Sequence, residues 1–555
     1  MFYKFELFYM IYIYLFETKS IQAYLNRTGK LKDLISISDK LDNFIDNSDD
    51  CVLSNVLKTA DPENRIKFIR RNGGSFYSFS EDRDILVSFR QLWLLTFYQY
   101  FPYMAHTDYF GEISIRNFSE DLAEAFRKLN ASINNVDVPL PYGTTVIESA
   151  TETGNPAVEY ISGTPVDLAS SRLSRSGGSN RSIYEKFIAD KTVVDAFICK
   201  FNRLHSGSKS SNNDIAYMHF DGNGIGQLIM KIRDGQKDLN KYKDVMTKFS
   251  DSLSRSTQEA AKFAFEKVYE KAGRKVFNFR PLVLGGDDLT VMIEPKYAFD
   301  YCVSYTKKFE ELTNEYFFRQ PDFTQVMKEL NIQKLTASGG ILFNKIKHPA
   351  SNTGSIVEGL AGMAKDLTKN KHENEQLDKY RGMAAVAFYR MSTSSQEVFD
   401  DIMSRGRIFD CANAPGGRFS LGGGVYFIDD VPNYPNLTNF MKFLDKVQKN
   451  RFSAGYKSII PVFRRMMTAL STRNFYEAQS IYDRMLSRLS MDEKEEIIKF
   501  FTLADPKTEF KNNRFYFSKD DSSESPLADL LVVYHYLYED GFNDGDNGGD
   551  GIEQN

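Results

Sequence analysis

Three acidic residues and a cluster of glycines are the residues here whose types and spacing can do chemistry. Asp287 and Asp288 follow Gly285 and Gly286, between the apolar runs Pro281-Leu-Val-Leu284 and Leu289-Thr-Val-Met-Ile293. That pattern reads as a tight β-hairpin. The glycines supply the turn's backbone angles and leave room for a ligand to approach. Two adjacent carboxylates at a hairpin tip repel each other unless a cation lies between them, and a divalent metal is the simplest such cation. On these residues alone, a solvated Gly-Gly-Asp turn is the alternative. A third acid, Asp221, ends the apolar run Ile215–Phe220, and Gly222-Asn223-Gly224-Ile225-Gly226 then turns the chain into a helix. Three carboxylates on one sheet edge suit two Mg²⁺ (or Mn²⁺) ions roughly 3.5–4 Å apart, one activating a hydroxyl and one holding a triphosphate. Backbone N–H groups of Gly222, Asn223, Gly224 and Gly226 at a helix N-terminus can cradle phosphate oxygens. Lys365, on a later helix, can offer positive charge to a leaving pyrophosphate.

The elements that must position these groups follow in chain order. A strand ends on Asp221, a long helix runs from about residue 242 to 272, and the hairpin arms flank Gly285-Gly286. An amphipathic helix over 297–316, the strand Leu335-Thr-Ala-Ser338-Gly-Gly-Ile-Leu-Phe343 and a helix over 355–370 complete the order. This β-α-β-β-α-β order predicts an antiparallel sheet backed by helices, a ferredoxin-like palm over 213–392. Residues 1–140 repeat the order weakly. Ile11–Phe16 reads as a buried strand, and a hairpin turns at Gly73-Gly74 with Ser75 where the later one carries Asp287. This first palm-like unit is expected to be catalytically blank. Residues 141–212, with Ser/Gly-rich 170–182, read as a linker or insertion. Residues 393–539 read as mainly helical and 540–555 as a disordered acidic tail. The fold class expected is α+β.

Composition narrows the options. The 555 residues carry a net charge of −4, so nothing attracts nucleic acid globally. Four scattered cysteines without a Cys-x-x-Cys pair argue against a zinc ribbon or a disulfide framework and fit a reducing cytoplasm. The apolar N-terminus, interrupted by Lys4 and Glu6, is too short to span a bilayer, so no membrane association is expected.

The segments His219–Gly226, Leu284–Leu289 and Leu335–Ile341, with Lys347-His-Pro349 and Ala364-Lys365 behind them, resemble the second palm of the Cas10/Cmr2 family, the large subunit of type III CRISPR effector complexes. Ser20–Leu25 and Lys30–Leu34 are similar to the start of that family's first palm. The resemblance implies conversion of ATP into cyclic or linear oligoadenylate messengers, with Asp221, Asp287 and Asp288 holding the metals. It assigns Gly285, Gly286 and Ser338 to the nucleotide site beside Lys365 and the Gly222–Gly226 turn. It also implies guide or target RNA and other effector subunits as partners, and leaves a homodimer open. No His precedes an Asp, so an HD nuclease is not expected. A non-catalytic RNA-binding scaffold and a diguanylate-cyclase-like enzyme are the alternatives. Against the latter, Asp288-Leu289 stands where Glu-Phe would complete its hairpin.

Overall fold

The computed structural model describes residues 10–539, apart from 26, 28–30, 46–50, 73, 115–117, 133–146, 177–180, 207–212, 236–237, 318, 320, 330–333, 370–381, 392–398, 404–407, 412–413, 415–416, 423, 433, 450–457, 504–513 and 520–521. The acidic tail at 540–555 lies outside the described residues.

The fold is α+β. Its first unit comprises β1 (Met10–Thr18), α1 (Ile21–Leu25), α2 (Leu31–Asp42), α3 (Val52–Ala60), β2 (Lys67–Asn72), β3 (Ser75–Ser80), α4 (Arg83–Tyr100), β4 (His106–Ser114) and α5 (Phe118–Ala131). The strands form an antiparallel sheet in the order β2-β3-β1-β4, the ferredoxin-like arrangement. Asp82 caps α4 by accepting from the backbone N–H groups of Asp84 and Ile85. The helix then buries Phe89, Trp93 and Phe97 against Phe16 and Phe76 of the sheet.

The described part of the stretch read as a linker or insertion is a built insertion. It holds the hairpin β5 (Ala157–Ile161) and β6 (Thr164–Asp167), then α6 (Leu168–Ser176), α7 (Arg181–Glu185) and α8 (Lys191–Ser206). Apolar residues of α8, Val194, Phe197 and Phe201, are fully buried, which a bare connection would not achieve. Asp167 fastens the hairpin to the first unit. Its buried carboxylate accepts from Arg27 (2.9 Å), Thr153 (2.7 Å), Asn155 (3.1 Å) and the Ser170 N–H (2.7 Å). The Ser/Gly composition concealed this, because the anchor lies outside the biased stretch.

The second unit runs β7 (Asp214–Gly222), α9 (Ile225–Gly235), α10 (Leu239–Lys271), β8 (Phe279–Gly285), β9 (Asp288–Ile293), α11 (Ala298–Phe317), α12 (Pro321–Glu329), β10 (Ala337–Lys345), α13 (Ala350–Lys369) and β11 (Ala385–Arg390). Beyond it, β12 (Ile408–Asp410) and β13 (Arg418–Ser420) begin another sheet, while β14 (Val425–Phe427) returns to pair with β11. The palm sheet therefore reads β14-β11-β10-β7-β9-β8. Its last strand comes from beyond residue 392, so the chain crosses the expected boundary. The described C-terminal region is mainly helical, with one small sheet added. Its helices accompany a four-stranded sheet, β12-β13-β16-β15, with β15 (Phe517–Lys519) and β16 (Ser522–Glu524) supplied from far along the chain. The two palms share one apolar cluster, in which Tyr14, Phe16 and Trp93 of the first join Tyr217, Leu282, Met292 and Leu360 of the second. Among the described residues, no helix is long and apolar enough to cross a membrane.

The Asp167 anchor makes a stability prediction. Its donors hold the carboxyl down to about 2. The anchor's contribution is therefore present above the ordinary Asp range near 4 and is lost as pH falls toward 2. Asp167→Ala should cost about 3–5 kcal/mol in urea unfolding at pH 7, the scale of breaking a buried pair. The deficit relative to wild type should shrink in strongly acidic buffer.

Candidate active site

Register brings the acids together. Phe220 of β7 lies opposite Leu289 of β9, so the next pair outward sets Asp221 beside Asp288. Gly285 pairs with Asp288 and closes the hairpin, with Gly286 in the left-handed region at φ 61°. The Thr257 hydroxyl of α10 donates to the Gly286 carbonyl (2.7 Å), which fixes the turn against the long helix. A Cβ on Gly222 would lie 3.0 Å from Asp287 Cβ and 3.1 Å from its Oδ2, so only glycine lets Asp287 lie across the end of β7. Gly226, Gly285 and Gly286 face open space.

One carboxylate oxygen from each of Asp221, Asp287 and Asp288 lies within 4.8 Å of the others. Electrostatics show what such a cluster lacks. Burial, then the Asp221 charge, pushes the Asp287 carboxyl up to about 7. Burial, then Asp287 and Asp221, pushes Asp288 well above the ordinary carboxylate range. The Lys365 ammonium of α13 pairs with Asp221 and is the cation already serving the cluster. Lys365 therefore stands on the acid edge. An all-oxygen donor set with uncompensated negative charge fits a hard divalent cation such as Mg²⁺ or Mn²⁺.

Two residues expected at the ligand are spent inside the fold. Ser338 is fully buried, and its hydroxyl accepts from Asn223 Nδ2 (2.9 Å) and from the Ala385 N–H (3.2 Å). Asn223 also donates to the Thr336 hydroxyl (2.8 Å) and the Met383 carbonyl (3.3 Å). Together they tie the turn after β7 to β10 and β11, and the Asn223 backbone N–H, expected at phosphate, donates instead to the Thr336 carbonyl (2.8 Å). The neighbouring glycines have packing roles too. A Cβ on Gly339 would strike Phe220, and one on Gly340 would strike Val357 and Ala361 of α13. Gly340 thus lets α13 lie directly on the sheet, which is what delivers Lys365 to Asp221. His219, buried beside the site, is bonded through Nδ1 to Thr290 (2.9 Å), and burial lowers it to about 4, so it is neutral at pH 7.

The first palm is a near copy with a side chain exchanged. Glu17 pairs with Ser75, so Ser75 occupies the station of Asp288, not that of Asp287, and Glu17 that of Asp221. Gly74 stands where Asp287 would be, and its missing Cβ leaves the space that Thr18 Oγ1 fills. In the second palm the partner positions are reversed, with glycine at 222 and the side chain at 287. Glu17, the one acid left, is held by Lys19 and Tyr77. The two sheet edges face a shared cleft of about 550 Å³, lined among others by Thr18, Lys19, Lys186, Gly285, Asp288 and Glu358.

Residues 214–373 match the family model described as Cas10/Cmr2, second palm domain. Among solved structures the chain is similar to the Csm1-Csm4 cassette in complex with cA3, at 12% identity over 95% of this chain and 70% of that one, TM-score 0.49. It is also similar to the cassette in complex with cA4, at 14% identity over 64% and 53%, TM-score 0.39. For the cassette in complex with one ATP the identity is 14% over 65% and 54%, TM-score 0.38. The chain spans about half the length of these last two. No curated protein matches it.

The raised acids set a pH prediction. An Asp287 carboxyl near 7 when folded and near 4 when unfolded means that metal-free protein loses stability as pH rises between those values. Metal binding must displace that proton. The gain in Tm on adding Mn²⁺ should therefore grow from pH 6 to pH 8, and Asp287→Asn should remove the gain without lowering the metal-free Tm. An equal gain at both pH values would contradict a proton-linked metal site.

Proposed function

We propose that this chain, whose residues 214–373 match the Cas10/Cmr2 second palm domain, is a metal-dependent nucleotidyltransferase that converts ATP into cyclic or linear oligoadenylate as an antiviral second messenger. The observation that carries the reading is the convergence of Asp221, Asp287 and Asp288, the last of which lines a cleft shared by two palms. A scaffold has no use for three acids held at this electrostatic cost.

The 3′-hydroxyl of one ATP attacks the α-phosphorus of another in line, and pyrophosphate leaves. Asp221, Asp287 and Asp288 would hold the divalent metal, which when bound activates the hydroxyl and neutralises the triphosphate. The chain's own groups do the rest. Gly285 and Gly286 leave the hairpin open to phosphate, and backbone N–H groups at the start of α9 face anionic oxygens. With Asp221 served by metal, the Lys365 ammonium becomes available to the triphosphate. Lys186 places a further ammonium at the cleft, and the first palm, blank at its own edge, holds the acceptor nucleotide. The domain division proposed is 1–140, 141–212, 213–392 and 393–539, with the crossing strand β14 noted above. Guide or target RNA and further effector subunits are the proposed partners, in the cytoplasm.

Purified protein incubated with each labelled NTP and Mg²⁺, with and without RNA, should form oligomeric product from ATP. Asp287→Ala, Asp288→Ala and Asp221→Asn should each lower turnover by roughly 10²–10³-fold or more, the scale of losing a preorganised electrostatic group, while circular dichroism stays unchanged. Full turnover in any of the three would remove the metal-site reading. Lys365→Ala should raise the ATP concentration needed and leave base preference alone; a switch to GTP would place Lys365 at the base instead.

A further inference from the structure

The cleft holds a carboxylate that the metal reading does not use. Glu358 of α13 lines it together with Gly285 and Asp288 of the second palm and Thr18, Lys19 and Ser20 of the first. It is half-buried, yet among the described residues its carboxylate makes no hydrogen bond and no ion pair. Burial alone pushes its carboxyl above the ordinary range. The charged and titratable groups around it are Asp288 from the hairpin, the buried Tyr217 from β7, Lys19 from the first palm and Lys186 from the turn that follows α7. Glu358 and Lys365 are seven residues apart, about two turns and 10.5 Å along one face of α13. The helix that sends an ammonium to Asp221 therefore sends a carboxylate into the cleft past Asp288. Gly340 lets this helix lie directly on the sheet.

We propose that Glu358 is the group that accepts the proton of the attacking 3′-hydroxyl, an inference that rests on the nucleotidyl-transfer reading above. The O3′–H bond breaks and its proton passes to a Glu358 oxygen. The O3′ electron pair forms the bond to the α-phosphorus, and the bond from that phosphorus to the bridging oxygen breaks. Pyrophosphate carries away that electron pair. A half-buried carboxylate that lines the cleft beside Asp288 and Gly285, with no cation paired to it among the described residues, is placed for this task.

The test is Glu358→Gln, which preserves size and removes proton acceptance, with Glu358→Asp beside it. In steady-state kinetics with ATP, Glu358→Gln should lower kcat by roughly 10²–10³-fold, with KM, Mn²⁺ affinity and Tm unchanged. Glu358→Asp should recover part of kcat. An undiminished kcat in Glu358→Gln overturns the assignment, as does lost Mn²⁺ binding, which would make Glu358 a metal ligand. A changed base preference at intact kcat also overturns it. Wild type in the same assay separates the two claims. Product from wild type and equally from Glu358→Gln removes Glu358 alone; no product from wild type with any NTP removes the nucleotidyl-transfer reading and this inference with it.

Discussion

Repulsion among three carboxylates gathered at one sheet edge is the constraint on which the rest of this structure depends. Asp221, Asp287 and Asp288 each lie within reach of a common cation. In the folded protein, burial and mutual repulsion hold Asp287 near 7 and Asp288 well above the ordinary carboxylate range. Such a cluster persists only because its surroundings are over-determined. Glycine at 222 makes room for Asp287, Thr257 grips the turn, and Asn223 with Ser338 locks the exit from β7. Gly340 brings α13 close enough for Lys365 to neutralise part of the charge.

The first palm shows what the same frame becomes when the constraint is lifted. Its sheet order and its turn before the first helix are retained, but the volume that Asp287 takes in one copy belongs to Thr18 in the other. The exchange is reciprocal, since glycine and side chain have swapped positions across the turn. An acid placed at Gly74 would meet Thr18, so the first edge cannot regain an acid there by that substitution alone. A common apolar cluster still holds the two copies together and keeps their edges facing one cleft.

Much of this was legible in the residues, for physical reasons. The acid-ended strand, the Gly-Gly-Asp-Asp turn and the order of elements follow from periodicity and turn chemistry, which are local. What is non-local was hidden. Ser338 sits in a run rich in small residues that reads as ligand-facing, whereas strand pairing turns it inward toward Asn223. The station of Ser75 depends on pairing register, which a one-residue slip changes. The built character of residues 157–206 depends on Asp167 meeting Arg27 from far upstream. Strand β14 joins the palm after a long excursion. Glu358 had a usable signal in its seven-residue spacing from Lys365, but spacing alone does not reveal that its carboxylate is unpaired.

The claim at the centre of this account is that the acid triad trades its lysine for metal when nucleotide enters the cleft. Crystals grown with Mn²⁺ and a non-hydrolysable ATP analogue, measured at a wavelength where manganese scatters anomalously, test it most directly. The account predicts anomalous density between Asp221, Asp287 and Asp288, the Lys365 ammonium moved from Asp221 to a phosphate oxygen, and the nucleotide seated between the two palms. Bound nucleotide with no anomalous density at the triad, and Lys365 still on Asp221, would contradict it.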